Sequence, residues 1–309
     1  MISSQKVVSI VVTYNAMPWL KSCFESLINS NIQNHIILAI DNGSSDNTVE
    51  ELKTTYSNVI LIETGKNLGF GKANNIGLKW ALQNNADYCF LLNQDAWIEK
   101  ETIPQLIEIS QLNPNFGIVS PVHLNRNSRV DPGFEYYCLQ SKNSDFLFDS
   151  FCANPIKKIY ESEFINAAAW LLTKECLRTN GGFMPIFPHY GEDLNYCERV
   201  INSGLKIGFT PGVKIIHDRN ILKRRLSFNQ KFNQLYVYLL GFFVSAKIEE
   251  KNSLLNYYIK MILSSFRKFY QYPNVILSLP FALLIILFHI KEIRKQRKEA
   301  IRRQINFLI

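Results

Sequence analysis

No stretch of this 309-residue chain reads as a membrane-spanning helix. The most apolar one, residues 275–290, has sixteen residues without formal charge and is interrupted by Pro280, whereas crossing a bilayer takes roughly twenty. No secretory leader is visible either, since only six apolar-rich residues precede Thr13 and Tyr14. The body is therefore expected in the cytoplasm. Paired cysteines are also lacking. Cys23, Cys89, Cys138, Cys152, Cys176 and Cys197 stand 66, 49, 14, 24 and 21 positions apart, so no CxxC motif supports a zinc ribbon or a thioredoxin-type centre. Most lie in apolar surroundings, as Cys89 does, and read as reduced core residues. No Gly-x-x-x-x-Gly-Lys-Ser/Thr sequence occurs, which excludes a P-loop, and Gly69-Phe-Gly71 lacks the third glycine of a dinucleotide fingerprint.

What is present excludes disorder: 47% of residues are hydrophobic and 19% are charged, enough for a sizeable core. The net charge of +8 conceals a division. Residues 1–218 carry 17 basic and 22 acidic side chains, and residues 219–309 carry 17 and 4. The chain thus divides into an acidic body, 1–218, and a basic region, 219–309.

The body alternates β-rich runs with helical spacing. Strands are expected over 7–13, 36–40, 59–62, 88–92 and 213–216, and helices over 19–29, 73–82, 102–111 and 193–203. Strand–helix alternation at this spacing is the pattern of an α/β protein with an open, mostly parallel sheet flanked by helices. Residues 125–163, rich in Asn, Ser and Asp, read as loops or a short hairpin.

In such a sheet, ligands bind beyond the carboxyl ends of the strands. Four successive strand ends carry polar or glycine-rich groups: Thr13-Tyr14-Asn15, Asp41-Asn42-Gly-Ser-Ser-Asp46, Gly65-Lys-Asn67-Leu-Gly69-Phe-Gly71 and Asn93-Gln94-Asp95. Each has a plain reading alone, Asp41 as a turn and helix cap for instance; their convergence is the signal. Asp95 ends a buried strand, where a carboxylate must cap, pair or bind a metal. One carboxylate with flanking amides suits Mg²⁺ or Mn²⁺ held jointly with substrate phosphates. A second acidic signal, His189-Tyr-Gly-Glu192-Asp193, opens a helix, where carboxylates either complement the helix dipole or act as a general base. His217 follows a strand as a solvated histidine or a metal ligand.

Val8-Ser-Ile-Val-Val-Thr-Tyr-Asn15, Ile40-Asp-Asn-Gly-Ser-Ser-Asp46, Asn67-Leu-Gly-Phe-Gly-Lys-Ala-Asn74-Asn75-Ile-Gly77, Leu91-Leu-Asn-Gln-Asp95 and Gly191-Glu-Asp193 occur in this order. Together, over about residues 5–217, they resemble the family 2 inverting glycosyltransferases, particularly the rhamnosyltransferase-like branch. The resemblance implies a glycosyltransferase-A fold binding a nucleotide-diphosphate sugar, UDP- or dTDP-linked, with a divalent cation. Thr13, Tyr14 and Asn15 would line the nucleotide pocket, Asp41 beside Asn42 would contact the base, and Asn67, Gly69 and Asn74 would lie near ribose and diphosphate. Asp95, the last acid of the family's Asp-x-Asp motif, would ligate the metal, with His217 as a further ligand. Asp193 would be the general base, with Glu192 beside it. Asn93 replaces the motif's first acid and, with Gln94 next to it, would hydrogen-bond sugar or ribose. That replacement motivates the alternative of a catalytically impaired sugar-nucleotide-binding or scaffold subunit. Trp170 would stack on an acceptor sugar or fill the core, and His189 is a further acceptor-side candidate.

The region 219–309 begins with Arg219, Lys223, Arg224 and Arg225 and ends with Lys291, Arg294, Lys295, Arg297, Lys298, Arg302 and Arg303 around apolar runs. An apolar helix beside a polybasic stretch suits an anionic membrane surface. The expectation is a peripheral enzyme on the inner face of the cell membrane, acting on a lipid-linked or cell-envelope glycan acceptor. A basic helix packed on the body or on a second copy, in a homo-oligomer, is the other reading. Nucleic acid is disfavoured as a partner because the aromatics sit within apolar runs.

Overall fold

The computed structural model describes residues 5–139, 145–219, 227–245, 254–302 and 306–308. Of the tail's basic residues, Lys223, Arg224, Arg225, Lys247, Lys251 and Arg303 lie outside the described residues.

Strand β1 (Val7–Thr13) is buried on both faces: Val7 and Val11 point into one apolar cluster, Val8 and Ile10 into another. The two-residue period of the strand makes this division. Around it lie the parallel strands β2 (His35–Asp41), β3 (Ile60–Glu63) and β4 (Tyr88–Leu92). The register sets Thr13 beside Asp41 and Asp41 beside Glu63, so the carboxyl ends form one edge. The sheet continues through β8 (Ala169–Thr173), antiparallel to β4, then β6 (Phe116–Leu124), β9 (Lys206–His217) and β5 (Ala96–Ile98), in the order β3-β2-β1-β4-β8-β6-β9-β5. A short β7 (Tyr160–Glu161) pairs with β9.

Helices α1 (Met17–Ile28), α2 (Thr48–Thr55) and α3 (Phe70–Gln83) make the parallel crossovers, α4 (Thr102–Leu112) links β5 to β6, and α7 (Lys174–Asn180) and α8 (Glu192–Asn202) follow β8. The fold class is thus as the sequence pattern implies: a mostly parallel, mixed sheet flanked by helices.

Three expectations change. Residues 125–163 are not a hairpin: they contain α5 (Pro132–Leu139) and α6 (Asp145–Phe151). Phe134 and Phe146 fix these helices by packing edge-on to Phe209 of β9 at 5.8 and 5.4 Å, a long-range contact that local composition does not encode. The strand expected at 213–216 is the end of the longer β9. The apolar run 275–290 is not one helix. It divides into α11 (Pro273–Leu277) and α12 (Leu279–Phe288), then bends by 69° into the basic α13 (Ile290–Ile301). Among the described residues no single helix is long and apolar enough to cross a membrane.

Helices α9 (Phe228–Val244) and α10 (Leu254–Phe269) join α11–α13 around a third apolar cluster. Met184 and Phe187 of the body belong to that cluster. In return, the chain's end reaches the body's core: the Gly182 N–H donates to the Asn306 carbonyl at 2.8 Å, and Leu308 is buried among the second cluster. The charge division at 218 is therefore not a break in packing. Five of the six cysteines are buried and Cys152 is exposed, and none of the six forms a disulfide.

Candidate active site

The loop after β2 is organised around Asp41. Its Oδ1 accepts from the Thr13 hydroxyl at 3.1 Å and the Ser44 hydroxyl at 2.5 Å, and its Oδ2 from the N–H groups of Gly43 and Ser44. At 3% exposure it is a satisfied buried carboxylate. Asn15, held at φ 51°, accepts through Oδ1 from the Ser45 N–H at 2.8 Å and ties the first loop to the second. Asn42 bridges to the third: its amide donates to Asn67 Oδ1 at 3.1 Å and its Oδ1 accepts from the Leu68 N–H. Gln94 holds the Tyr14 backbone in a reciprocal pair, accepting from its N–H at 2.7 Å and donating to its carbonyl at 3.1 Å. Thr13, Tyr14, Asn15, Asp41, Asn42, Asn67, Gly69 and Gln94 thus form one connected rim.

Asn74 does not join that rim. It is buried in α3 and its amide donates to the Phe70 carbonyl one turn back. Its neighbour Asn75 bonds the Phe183 carbonyl and N–H at 2.8 and 2.7 Å, fixing the Gly181–Phe183 segment. Asn93 contributes backbone bonds, donating to Ala168 and accepting from Ala96.

Asp95 and His217 meet because β5 pairs with β9, with Ala96 opposite His217. Asp95 Oδ1 is 3.4 Å from His217 Nε2. His217 is 1% exposed, yet neither ring nitrogen makes a hydrogen bond. An unpaired buried imidazole beside a carboxylate fits a divalent cation that takes two protein donors and completes its shell with phosphate and water. Among the described residues no cluster of three or more His, Cys, Asp or Glu side chains is arranged for a metal. Behind His217 lies buried His123, ring to ring at 5.9 Å, whose Nε2 pairs with the Ser120 hydroxyl. Burial holds its pKa well below the usual histidine value, with His217 and Arg219 adding in the same direction.

Glu192 and Asp193 open α8 after a turn in which Tyr190 and Gly191 both take positive φ, 69° and 86°. Gly191 also sits under α9, where a Cβ would come within 2.7 Å of Val237. Glu192 is 4% exposed and its Oε2 has no partner; burial first, then the Asp193 charge, raises its pKa to about 7. Asp193 accepts from the Leu194 N–H at 2.8 Å. Burial raises its pKa, with backbone N–H groups and the Arg219 charge opposing.

This turn abuts the rim. Gly69 has φ 84°, and a Cβ there would lie 2.6 Å from the Pro188 carbonyl oxygen; a Cβ on Gly71 would lie 3.5 Å from Glu192. On the turn's other side a cleft of about 1300 Å³ opens between Asp193, His189 and Tyr190 and helix α9, with Tyr137, Asn166 and Arg219 on its wall.

Trp170 is a correction. It is fully buried in β8, between Phe183 at 6.1 Å and Tyr196 at 5.7 Å, so no face remains for an acceptor sugar. The sequence reading missed Arg219 as a site residue. It counted there only as tail charge, but it lies two positions after His217 and faces the cleft, 3.9 Å from buried Asp131. Its proximity to the expected metal ligand was the available signal.

A mostly parallel, mixed sheet with polar loops on its carboxyl edge, an Asp–His pair at the sheet's end and an acidic turn against those loops make a glycosyltransferase-A-type fold. Residues 9–152 match the family described as Glycosyl transferase family 2. It is 25% identical to the dTDP-rhamnosyl transferase RfbF of Shigella flexneri, over 69% of this chain and 69% of that protein. It is 24% identical to the N-acetylglucosaminyl-diphospho-decaprenol L-rhamnosyltransferase of Mycobacterium tuberculosis, over 68% of this chain and 75% of that one. Among solved structures, the mannosyltransferase PcManGT of Pyrobaculum calidifontis, in complex with GDP-Man and Mn²⁺, superposes with a TM-score of 0.57 at 17% identity, covering 91% of this chain and 75% of that one.

Proposed function

We propose that this protein moves a sugar from a nucleotide-diphosphate donor to a hydroxyl of a lipid-linked or cell-envelope glycan acceptor, with inversion at the anomeric carbon. The observation that carries this reading is the contact of the Pro188–Asp193 turn with the donor-side rim at Gly69 and Gly71. It sets the turn that carries Asp193, which lines an open cleft, against the polar loops at the sheet's carboxyl edge.

In this reading the rim from Thr13 to Asn67 binds the nucleoside. Asp41 acts through the loop it orders, since both its oxygens are already engaged. Asn93 would meet the sugar or ribose, and Gln94 acts through the Tyr14 backbone that it holds. Asp95 and His217 would hold a divalent cation, Mg²⁺ or Mn²⁺, which when bound supplies charge neutralisation for the departing diphosphate. Asp193 takes the proton of the acceptor hydroxyl as that oxygen bonds to the anomeric carbon, and the carbon–phosphate oxygen bond breaks with its electron pair leaving on the nucleoside diphosphate. The raised basicity that burial gives Asp193 suits the role. Glu192 packs toward Gly71 and positions the turn.

The Shigella relative makes dTDP-rhamnose the first donor to test, with UDP-sugars next. A donor screen by thermal shift with Mn²⁺ should show one nucleotide sugar raising the melting temperature. Transfer with that donor should fall at least 1000-fold in Asp193→Asn while the thermal shift persists. Full transfer by both Asp193→Asn and Asp95→Ala would overturn the assignment. Membrane seating through 219–309, at the cytoplasmic face, belongs to the same proposal. Exposed Phe281, Leu284, Leu287 and Phe288 on α12 and the basic residues of α13 support it.

A further inference from the structure

Between α7 and α8 the chain runs from Gly181 to Gly191 with neither helix nor strand, although Phe183, Met184 and Phe187 are buried. A buried segment without regular structure must find partners for its backbone N–H groups elsewhere. Three of these groups reach distant residues. Phe183 donates to Asn75 Oδ1 at 2.7 Å, Gly182 to the Asn306 carbonyl at 2.8 Å and Ile186 to Gln296 Oε1 at 3.0 Å. The first partner belongs to the body, but the other two lie beyond the charge division at 218. The segment that leads into the acidic turn is therefore held from the C-terminal region.

Two glycines admit the end of the chain. A Cβ on Gly181, where φ is 66°, would collide with the Asn306 backbone, and one on Gly182 would collide with Leu308. The Asn306 amide donates in turn to the carbonyls of Glu299 and Arg302, where α13 ends. Within α13 the buried residues are Ile293 and Gln296, whereas Lys291, Arg294, Lys295 and Lys298 are exposed. A buried amide needs partners at both ends. Gln296, 8% exposed, has them: Oε1 accepts from the Ile186 N–H, and Nε2 donates to Glu292 Oε1 one turn back at 2.6 Å.

From Ile186 the constraint passes straight to the turn. The next residue, Phe187, packs on Gly191, where a Cβ would come within 3.1 Å of its ring and 2.7 Å of Val237 on α9. Pro188 follows, with its carbonyl against Gly69 of the rim. Ile186 thus adjoins both contacts that place the turn. Resting on the glycosyl-transfer reading, we infer that Gln296 is a positioning residue for the transfer step: through the Ile186 N–H, α13 sets where the turn holds Asp193. It touches no substrate. Its effect is on the placement of the base, and a misplacement of about 1 Å can cost about 100-fold in rate.

Hydrogen exchange on the full chain, read by mass spectrometry, tests the contact without any substrate. In the wild type the Ile186 amide should be protected although it lies in no helix or strand. Exchange as fast as that of an exposed loop amide would overturn the inference, and this measurement needs no variant to fold. Gln296→Met keeps the side chain's length but removes its amide, and should speed exchange across residues 184–193 while leaving residues 41–46 unchanged. The kinetic arm uses the donor selected by thermal shift, Mn²⁺ and water as acceptor, and follows release of the nucleoside diphosphate. Gln296→Met should lower kcat by about tenfold or more and leave the donor KM within about twofold. The double variant Glu292→Gln with Gln296→Glu exchanges donor and acceptor between the two positions and should restore kcat. A lower melting temperature with kcat unchanged would show a merely supporting side chain and overturn the inference, as would equal exchange in Gln296→Met and wild type. A wild type that turns over no donor would instead defeat the glycosyl-transfer reading, and the exchange data would still decide whether Gln296 holds the turn.

Discussion

Replacing Glu192 by Gln removes a buried carboxyl whose ionisation the fold opposes. In the folded chain it titrates at about 7, against 4.5 for an unburied glutamate, because burial and the neighbouring Asp193 charge both disfavour the anion. At about 1.4 kcal/mol per pH unit, that gap amounts to about 3 kcal/mol. The direction follows from proton linkage. A carboxyl whose folded pKa is raised favours the folded state fully below its unfolded pKa, and this advantage is lost as pH rises through the folded one. Wild-type stability should therefore carry a decline of about 3 kcal/mol from Glu192 between pH 4.5 and roughly 7. Glu192→Gln should lack that portion. Urea unfolding at half-unit pH steps, followed by tryptophan fluorescence, to which Trp170 packed against Tyr196 of α8 contributes, would measure both profiles. The comparison rests on slope, since a Gln amide brings donors of its own to the site. Parallel profiles across the window would refute the reasoning.

Gly69→Ala should lower stability by about 1–3 kcal/mol, because φ is 84° and the new Cβ would meet the Pro188 carbonyl at 2.6 Å; an unchanged urea midpoint would remove the argument. Gln94→Ala loses both bonds to the Tyr14 backbone. Its exposed setting limits the stability loss to about 1 kcal/mol, and the expected signature is a raised donor KM with kcat within a few fold. Ending the chain after Arg302 removes the Asn306 carbonyl from Gly182 and Leu308 from the second cluster. Scanning calorimetry should show a melting temperature lower by several degrees, and an unchanged value would show the contact idle. A chain ending at 218 exposes Met184 and Phe187, so sedimentation should find it aggregated, not a free-standing soluble domain.

The four strand ends were legible because buried parallel strands are continuous apolar runs, and whatever polar residue follows each one must lie on the carboxyl edge. The register of Thr13 with Asp41 then made neighbours of residues 28 positions apart. Individual roles were less legible. Asp41 and Gln94 read as ligand contacts, whereas they hold the loops that would make those contacts. Asn74 and Trp170 lie in motif-like or suggestive settings, and burial turns both inward.

The strand–helix alternation over residues 7–92, the polar loops at the sheet's edge and the split of charge at residue 218 were properties of the sequence itself. They depend on local periodicity and composition, which need no knowledge of distant partners. Tertiary structure alone decided that Asp95 meets His217, that Asp193 faces a long aromatic cleft and that Arg219 shares it. Each joins elements far apart in the chain through β5–β9 pairing or the packing of α9 on the Tyr190–Gly191 turn. It also decided that the basic tail is no appendage. Apolar side chains from both sides of residue 218 fill a common core, and the hydrophobic effect rewards area buried without regard to where the charge changes sign.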